Sequence, residues 1–170
     1  MEESDRILIE WLERHGPDEW HCVARSWNWD QGYAVLTWIA TQPQCDRATA
    51  QHLFLLSSPE YFLQFPTRED VLQKAGHAIE NFDFTMLVVN RWNSGSYKRS
   101  EIATAESDNT VRHLERAYRS NEARYAGKLP WAAGHDIFVV LDGRDVEGED
   151  FSEGYPPDVA SELRRKGIRS

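Results

Sequence analysis

The side chains able to do chemistry in this chain include His21, Cys22, Cys45, Asp46 and His52, all of metal-ligand type, together with Asp30 in "SWNWDQG". Their spacing argues against a metal. His21 and Cys22 are neighbours and leave a helix on different sides, and no H-x-x-x-H or C-x-x-C pair sets two ligands on one face. Cys22 beside His21 is also a poor nucleophile and base, because adjacent helical residues do not meet in catalytic geometry. G-x-S-x-G and both phosphate-cradling glycine loops are missing from the sequence. The acidic run after Asp142 lacks the glycine and carboxylate spacing of a calcium-binding EF-hand. We therefore expect no catalytic residues, no metal and no cofactor, with an enzyme built from scattered acids and histidines as the alternative.

The elements that must position these residues read as helices. Ile7, Leu8, Trp11 and Leu12 share one face of a first helix, which Gly16 and Pro17 stop. Asp18 is placed to cap a second, with Trp20, Val23, Ala24 and Trp27 as its stripe. Asp30 has the type and place of the next cap, with Gly32 in the first turn and Tyr33, Leu36, Ile39 and Ala40 on the face. Pro43 breaks, and Asp46 caps a helix carrying Ala48, Ala50, Leu53, Phe54 and Leu56. Thr67 opens a longer helix whose face is Val71, Leu72, Ala75, Ile79 and Phe82. Residues 83–93 follow as a further helix ended by Gly95, because Phe84, Leu87, Val88 and Trp92 keep a 3.6-residue period although "TMLVV" also suits a strand. Ser107 or Asp108 caps a helix with Val111, Leu114, Tyr118 and Tyr125, stopped by Gly127 and Pro130. "DIFVVLDG" is the best strand candidate and can pair near Ile102. The last helix runs from Asp158 to Lys166 and ends at Gly167. The fold class is thus mainly α: one compact domain over residues 1–170, built of stacked helical hairpins, with a small β element near 100–105 and 137–141.

Charge bears on partners. The formal net charge is −9 with a pI near 5.1, and no Lys/Arg run is long enough to track a phosphate backbone, which argues against nucleic acid. The nearest approach is "NRWNSGSYKRSE", where Arg91, Lys98 and Arg99 interleave with Trp92 and Tyr97; a helix C-terminus answering its own dipole accounts for it. Six acids, Asp142, Asp145, Glu147, Glu149, Asp150 and Glu153, stand against the single base Arg144 in a glycine- and proline-rich stretch, an exposed acidic segment at 142–157. A basic protein matches that surface electrostatically. The expected partner-binding residues are Asp142, Asp145, Glu147, Glu149 and Asp150, with Trp131 and Tyr155 as exposed aromatic anchors. Two cysteines make no disulfide framework. The N-terminal stretch lacks the charge and apolar pattern of a targeting signal, and no apolar run reaches membrane-spanning length, so a cytoplasmic protein with no membrane partner is expected.

"NWDQG" before an apolar helix, "QPQCDRATAQHLF", "RWNSGSYKRSEIA" and "LPWAAGHDIFVVLDGRDVEG" together resemble a bacterial family of small proteins built around a domain of unknown function with an N-W-D-x-G, C-D-x-x-T-A pattern. The resemblance spans about Trp27 to Glu147 and implies no activity. Its small, acidic style is similar to that of immunity proteins that block bacterial toxins. It implies that Trp29, Asp30, Gly32, Cys45, Asp46, Thr49 and Ala50 are shared with the family, and we read them as structural. The function expected is non-enzymatic binding of a protein such as a cognate toxin.

Overall fold

Apolar side chains recur at helical spacing along most of this chain, and in the computed structural model, which describes residues 1–125, 131–148 and 151–168, most of the chain is helical. The helices are α1 (Glu3–Leu12), α2 (Pro17–Ser26), α3 (Ala34–Thr41), α4 (Arg47–Leu56), α5 (Pro59–Phe62), α6 (Arg68–Ala75), α7 (Ile79–Asn93), α8 (Asp108–Arg124) and α9 (Pro157–Lys166). Most of the expected stripe residues face inward, whereas Leu56, at the end of α4, is 41 % exposed. Leu8, Leu12, Val23, Leu36, Ile39, Leu53, Phe54, Val88 and Tyr118 are sealed in one cluster that also takes Val159 and Leu163 of α9. A second cluster, with Phe62, Phe65, Val71 and Phe82, lies under α5 to α7. Among the described residues no helix is long and apolar enough to cross a membrane.

Caps decide where several helices begin. The Asp46 carboxylate accepts from the Ala48 amide at 2.9 Å, Thr67 accepts from Asp70 at 3.1 Å, and Ser107 accepts from Thr110 at 3.2 Å, as their residue types predict. Gly167, in the left-handed region at φ +69°, ends α9.

Other boundaries differ from the sequence reading. Gly16 and Pro17 open α2 rather than stop α1, because proline fits the first helical position where no amide donor is needed; Asp18 falls in the first turn. Asp30 caps nothing. It is exposed within a 3-10 turn, Trp29–Gln31, where Asn28 Oδ1 accepts from its amide, and α3 starts only after Tyr33. The Thr67 helix breaks at a 3-10 turn, Gly76–Ala78, so Ile79 and Phe82 belong to α7, and Leu72, expected on the inner face, is 48 % exposed. The strand expected at 137–141 is a 3-10 turn at His135–Phe138 followed by exposed Val139 and Val140. Its β-branched run does not enter a ladder because Gln51 Nε2 takes the carbonyls of both Ile137 and Val139 at 2.8 Å. Pairing with the 100–105 region is reduced to an isolated bridge, Ile102 with Arg144. Gly127 and Pro130 lie outside the described residues.

Candidate functional site

The acidic segment does not hang free. Arg144, its only base, reaches back to Asp18 on α2 with both terminal guanidinium nitrogens, one at 2.7 Å. The Arg144 guanidinium beside Asp18 holds that carboxyl below its usual range. Val146 is buried with Cys22, Ala48 and Ile102, and its carbonyl accepts from Arg25 at 3.4 Å. Gly143 allows the segment to cross close to the backbone, since a Cβ there would stand 2.5 Å from the Ile102 carbonyl carbon. The anchored backbone then presents Asp145 and Glu147 outward on either side of the buried Val146.

These two acids line a cleft of about 660 Å³ between α1, α2 and the start of α9. Asp18, Glu19 and Asp158 share its wall, so among the described residues five carboxylates line it with one guanidinium, that of Arg144. Its aromatic lining consists of Trp11, with Phe151 edge-on at 6.3 Å and His15 stacked on the indole at 3.6 Å. The Trp11 indole N–H donates to Asp158 at 2.8 Å and fixes both groups. A concave, negative surface of this kind suits a positively charged side chain: carboxylates supply charge and hydrogen-bond acceptors, and half-buried His15 and Phe151, packed on the buried Trp11, supply contact area.

The expected partner-binding residues divide. Asp145 and Glu147 line the cleft; Asp142 is exposed just outside it. Glu149 and Asp150 lie outside the described residues. Trp131 is half-buried elsewhere, against Tyr118. Tyr155, expected as an exposed anchor, is only 3 % exposed. A tight turn pairs its backbone with Ser152 at 2.9 and 3.0 Å and lays the ring beside Trp27, which removes it from any surface role. Sequence reasoning missed Trp11, His15, Asp18, Glu19, Phe151 and Asp158, whose only signals were caps, first-turn acids and core periodicity.

The motif residues other than Asp30, which is exposed and caps nothing, pack into the frame. Gly32, at φ +85°, turns its carbonyl to accept from the Trp27 indole at 3.1 Å, and Trp29 packs edge-on to Tyr33 and Phe84. Asp46 is fully buried and also accepts from the Glu101 amide at 2.8 Å, with Arg99 at 3.8 Å. Cys45 and Ala50 are core residues, and burial pushes the Cys45 thiol up to about 12. Thr49 shares a 2.9 Å hydrogen bond with His21.

Beneath this frame lies a closed polar cluster. His52 Nδ1 meets the Glu106 carboxylate, Nε2 lies 3.2 Å from the Ala24 carbonyl, and the His21 ring is 6.4 Å away. Burial, then the nearby His52, depresses His21 to about 4; Glu106 is lowered, burial opposing and the His52 hydrogen bond favouring its charged form. Among the described residues no group of three or more His, Cys, Asp or Glu side chains is arranged to hold a metal ion.

The pattern of one family, described as a domain of unknown function (DUF4274), matches residues 15–118, which include the "NWDQG" and "CDRATA" stretches. No curated protein and no solved structure matches the chain.

Proposed function

Since the chain belongs to the DUF4274 family, whose description carries no activity, we propose from the site alone that it is a non-enzymatic binding protein for a basic protein partner, most concretely a cytoplasmic bacterial immunity protein that blocks a cognate toxin. The observation that carries this reading is the preformed acidic cleft: Asp145 and Glu147 are held beside Asp18, Glu19 and Asp158 around Trp11 before any partner arrives. Preorganised charge of one sign raises association rates with an oppositely charged surface and discriminates against like-charged ones. An anchored segment also avoids the cost of ordering a loop on binding.

The test is affinity capture with the tagged protein from its native organism at low and moderate salt, followed by the Asp145→Lys/Glu147→Lys double variant. One stoichiometric basic partner encoded beside this gene, binding more slowly and with a flatter salt dependence in the variant, is the expected result. Unchanged kinetics would remove the cleft from the interface, and no stoichiometric partner would remove the binding reading.

The second reading, a small enzyme, rests on one observation: His52, Glu106, His21 and Thr49 converge although they are far apart in sequence. A nucleotide or divalent metal that raised the melting temperature would favour it, because a ligand of the native state stabilises that state.

A further inference from the structure

The run "IFVVL", residues 137–141, has the composition of a strand, yet among the described residues it joins no ladder. Hydrogen bonds tie it to the rest of the fold from one side. Gln51 Nε2 donates to the Ile137 and Val139 carbonyls, the Leu141 amide donates to Thr104 Oγ1 at 2.7 Å, and the Leu141 carbonyl accepts from the Thr104 amide at 3.1 Å. Val139 has extended backbone, with φ −84° and ψ 128°. Successive residues of an extended chain turn their peptide groups to opposite edges, so residues 139 and 141 serve the inner edge and residues 140 and 142 the outer one. On that outer edge the N–H and C=O groups of Val140 and Asp142 have no hydrogen-bond partner among the described residues.

The side chains along this edge are open as well. Val139 is 56 % exposed and Val140 39 %. Strand edges left in solvent are usually guarded by lysine, proline or an inward-turned charge, and residues 137–141 carry none of these. Acids begin just beyond the run, at exposed Asp142, and continue with Asp145 and Glu147 on the wall of the acidic cleft; Arg144, the base between them, is held by Asp18. The edge is therefore continuous with that cleft. A second copy of the chain, at net charge −9, would be repelled from it, whereas an extended segment bearing lysine or arginine meets it with complementary charge.

We propose, resting on the reading of this chain as a binder of a basic protein, that residues 139–142 are a docking edge to which an extended basic segment of the partner adds as a strand. Its backbone pairs with Val140 and Asp142, its apolar side chains cover Val139 and Val140, and a lysine or arginine stands against Asp142. In this mode main-chain hydrogen bonds supply the affinity and alternate side chains the selectivity.

The experiment titrates the full chain with a fluorescently labelled synthetic peptide, "KVTVTVK", read by anisotropy. Controls are "EVTVTVE" and the lysine peptide N-methylated at every valine and threonine, which has no central backbone donor left. The lysine peptide should saturate the protein, and each control should bind about tenfold more weakly or worse. Val140→Pro removes an N–H that bonds to nothing among the described residues, and Val139 already has the backbone angles that a following proline requires. That variant should keep its circular dichroism and bind the peptide about tenfold more weakly, and Asp142→Lys about threefold. If Val140→Pro does not fold, the N-methylated peptide and Asp142→Lys decide. No binding at millimolar peptide, equal binding of the N-methylated form, or unchanged binding by the folded variants would overturn the docking edge. So would a dimer of the chain alone, seen by sedimentation and lost in Val140→Pro, because the edge would then belong to a second copy. The peptide reports on the edge alone: failure to bind it, with a basic partner still captured through Asp145 and Glu147, removes the edge and leaves the binding reading standing.

Discussion

Two groups of carboxylates in this protein have the same chemistry and opposite surroundings. Asp46 has no exposed surface and accepts from two backbone amides, with Arg99 close by. Asp145 and Glu147 are exposed on a segment whose own anchors are Val146, Arg144 and Gly143. The contrast teaches that a carboxylate in this fold can either hold the chain together or stand exposed to solvent, and that burial with backbone donors separates the two situations. The acids of the first kind set the geometry in which those of the second converge.

Removing the buried member tests the contrast most severely. Asp46→Ala leaves the Ala48 and Glu101 amides without acceptors and opens the junction between α4 and the 99–102 segment, so we expect a loss of about 4 kcal/mol in urea denaturation. A loss below about 1 kcal/mol would mean that water replaces the carboxylate and that Asp46 is not the clamp described here.

Acid comes next. Buried His21 titrates near 4 in the folded protein against 6.5 when exposed. Between those values the unfolded chain takes up a proton that the folded one refuses, so stability falls as pH drops from 6.5 toward 4, by about 3 kcal/mol from this group. Glu106, lowered in the fold, contributes stability above its ordinary 4.5 that is lost as pH falls through its folded value, in the same direction. Urea midpoints at pH 7.5, 5.5 and 4.5 measure the slope, which should flatten in His21→Asn.

A third, smaller effect concerns the turn that buries Tyr155. Gly154 sits at φ +88° with a hypothetical Cβ 2.4 Å from Trp27. Gly154→Ala should cost about 2 kcal/mol, from backbone strain and displacement of the indole, and should change the tryptophan emission. The smallest effect on stability is expected at the other pole of the comparison. Asp145→Asn with Glu147→Gln should change the unfolding free energy by less than about 0.5 kcal/mol. A large loss from that pair would make these acids structural and erase the distinction.

What could be read in advance follows from range. Thr67, Ser107 and Asp46 were legible as caps because a short oxygen-bearing side chain reaches amides two or three residues ahead. Asp30 has the same chemistry, but Asn28 two residues earlier turns the chain first, and local patterns do not rank two competing caps. The run "DIFVV" satisfies a strand pattern, yet Gln51, 86 residues away along the chain from Ile137, claims its carbonyls. Tyr155 looked exposed among glycines and prolines, although Gly154 is there to press the turn onto Trp27.

The sequence by itself determined that the chain is mainly helical, where most of its apolar stripes lie, and that six of its 28 acids fall in one late segment with a single base. These are properties of neighbours three and four residues apart, set by backbone hydrogen bonding and helical period. Only the tertiary structure decided that Asp145 and Glu147 meet Asp18, Glu19 and Asp158 around Trp11. Those encounters depend on how whole helices pack and where buried anchors such as Val146 settle, so the charge that matters at the cleft is a sum over distant parts of the chain.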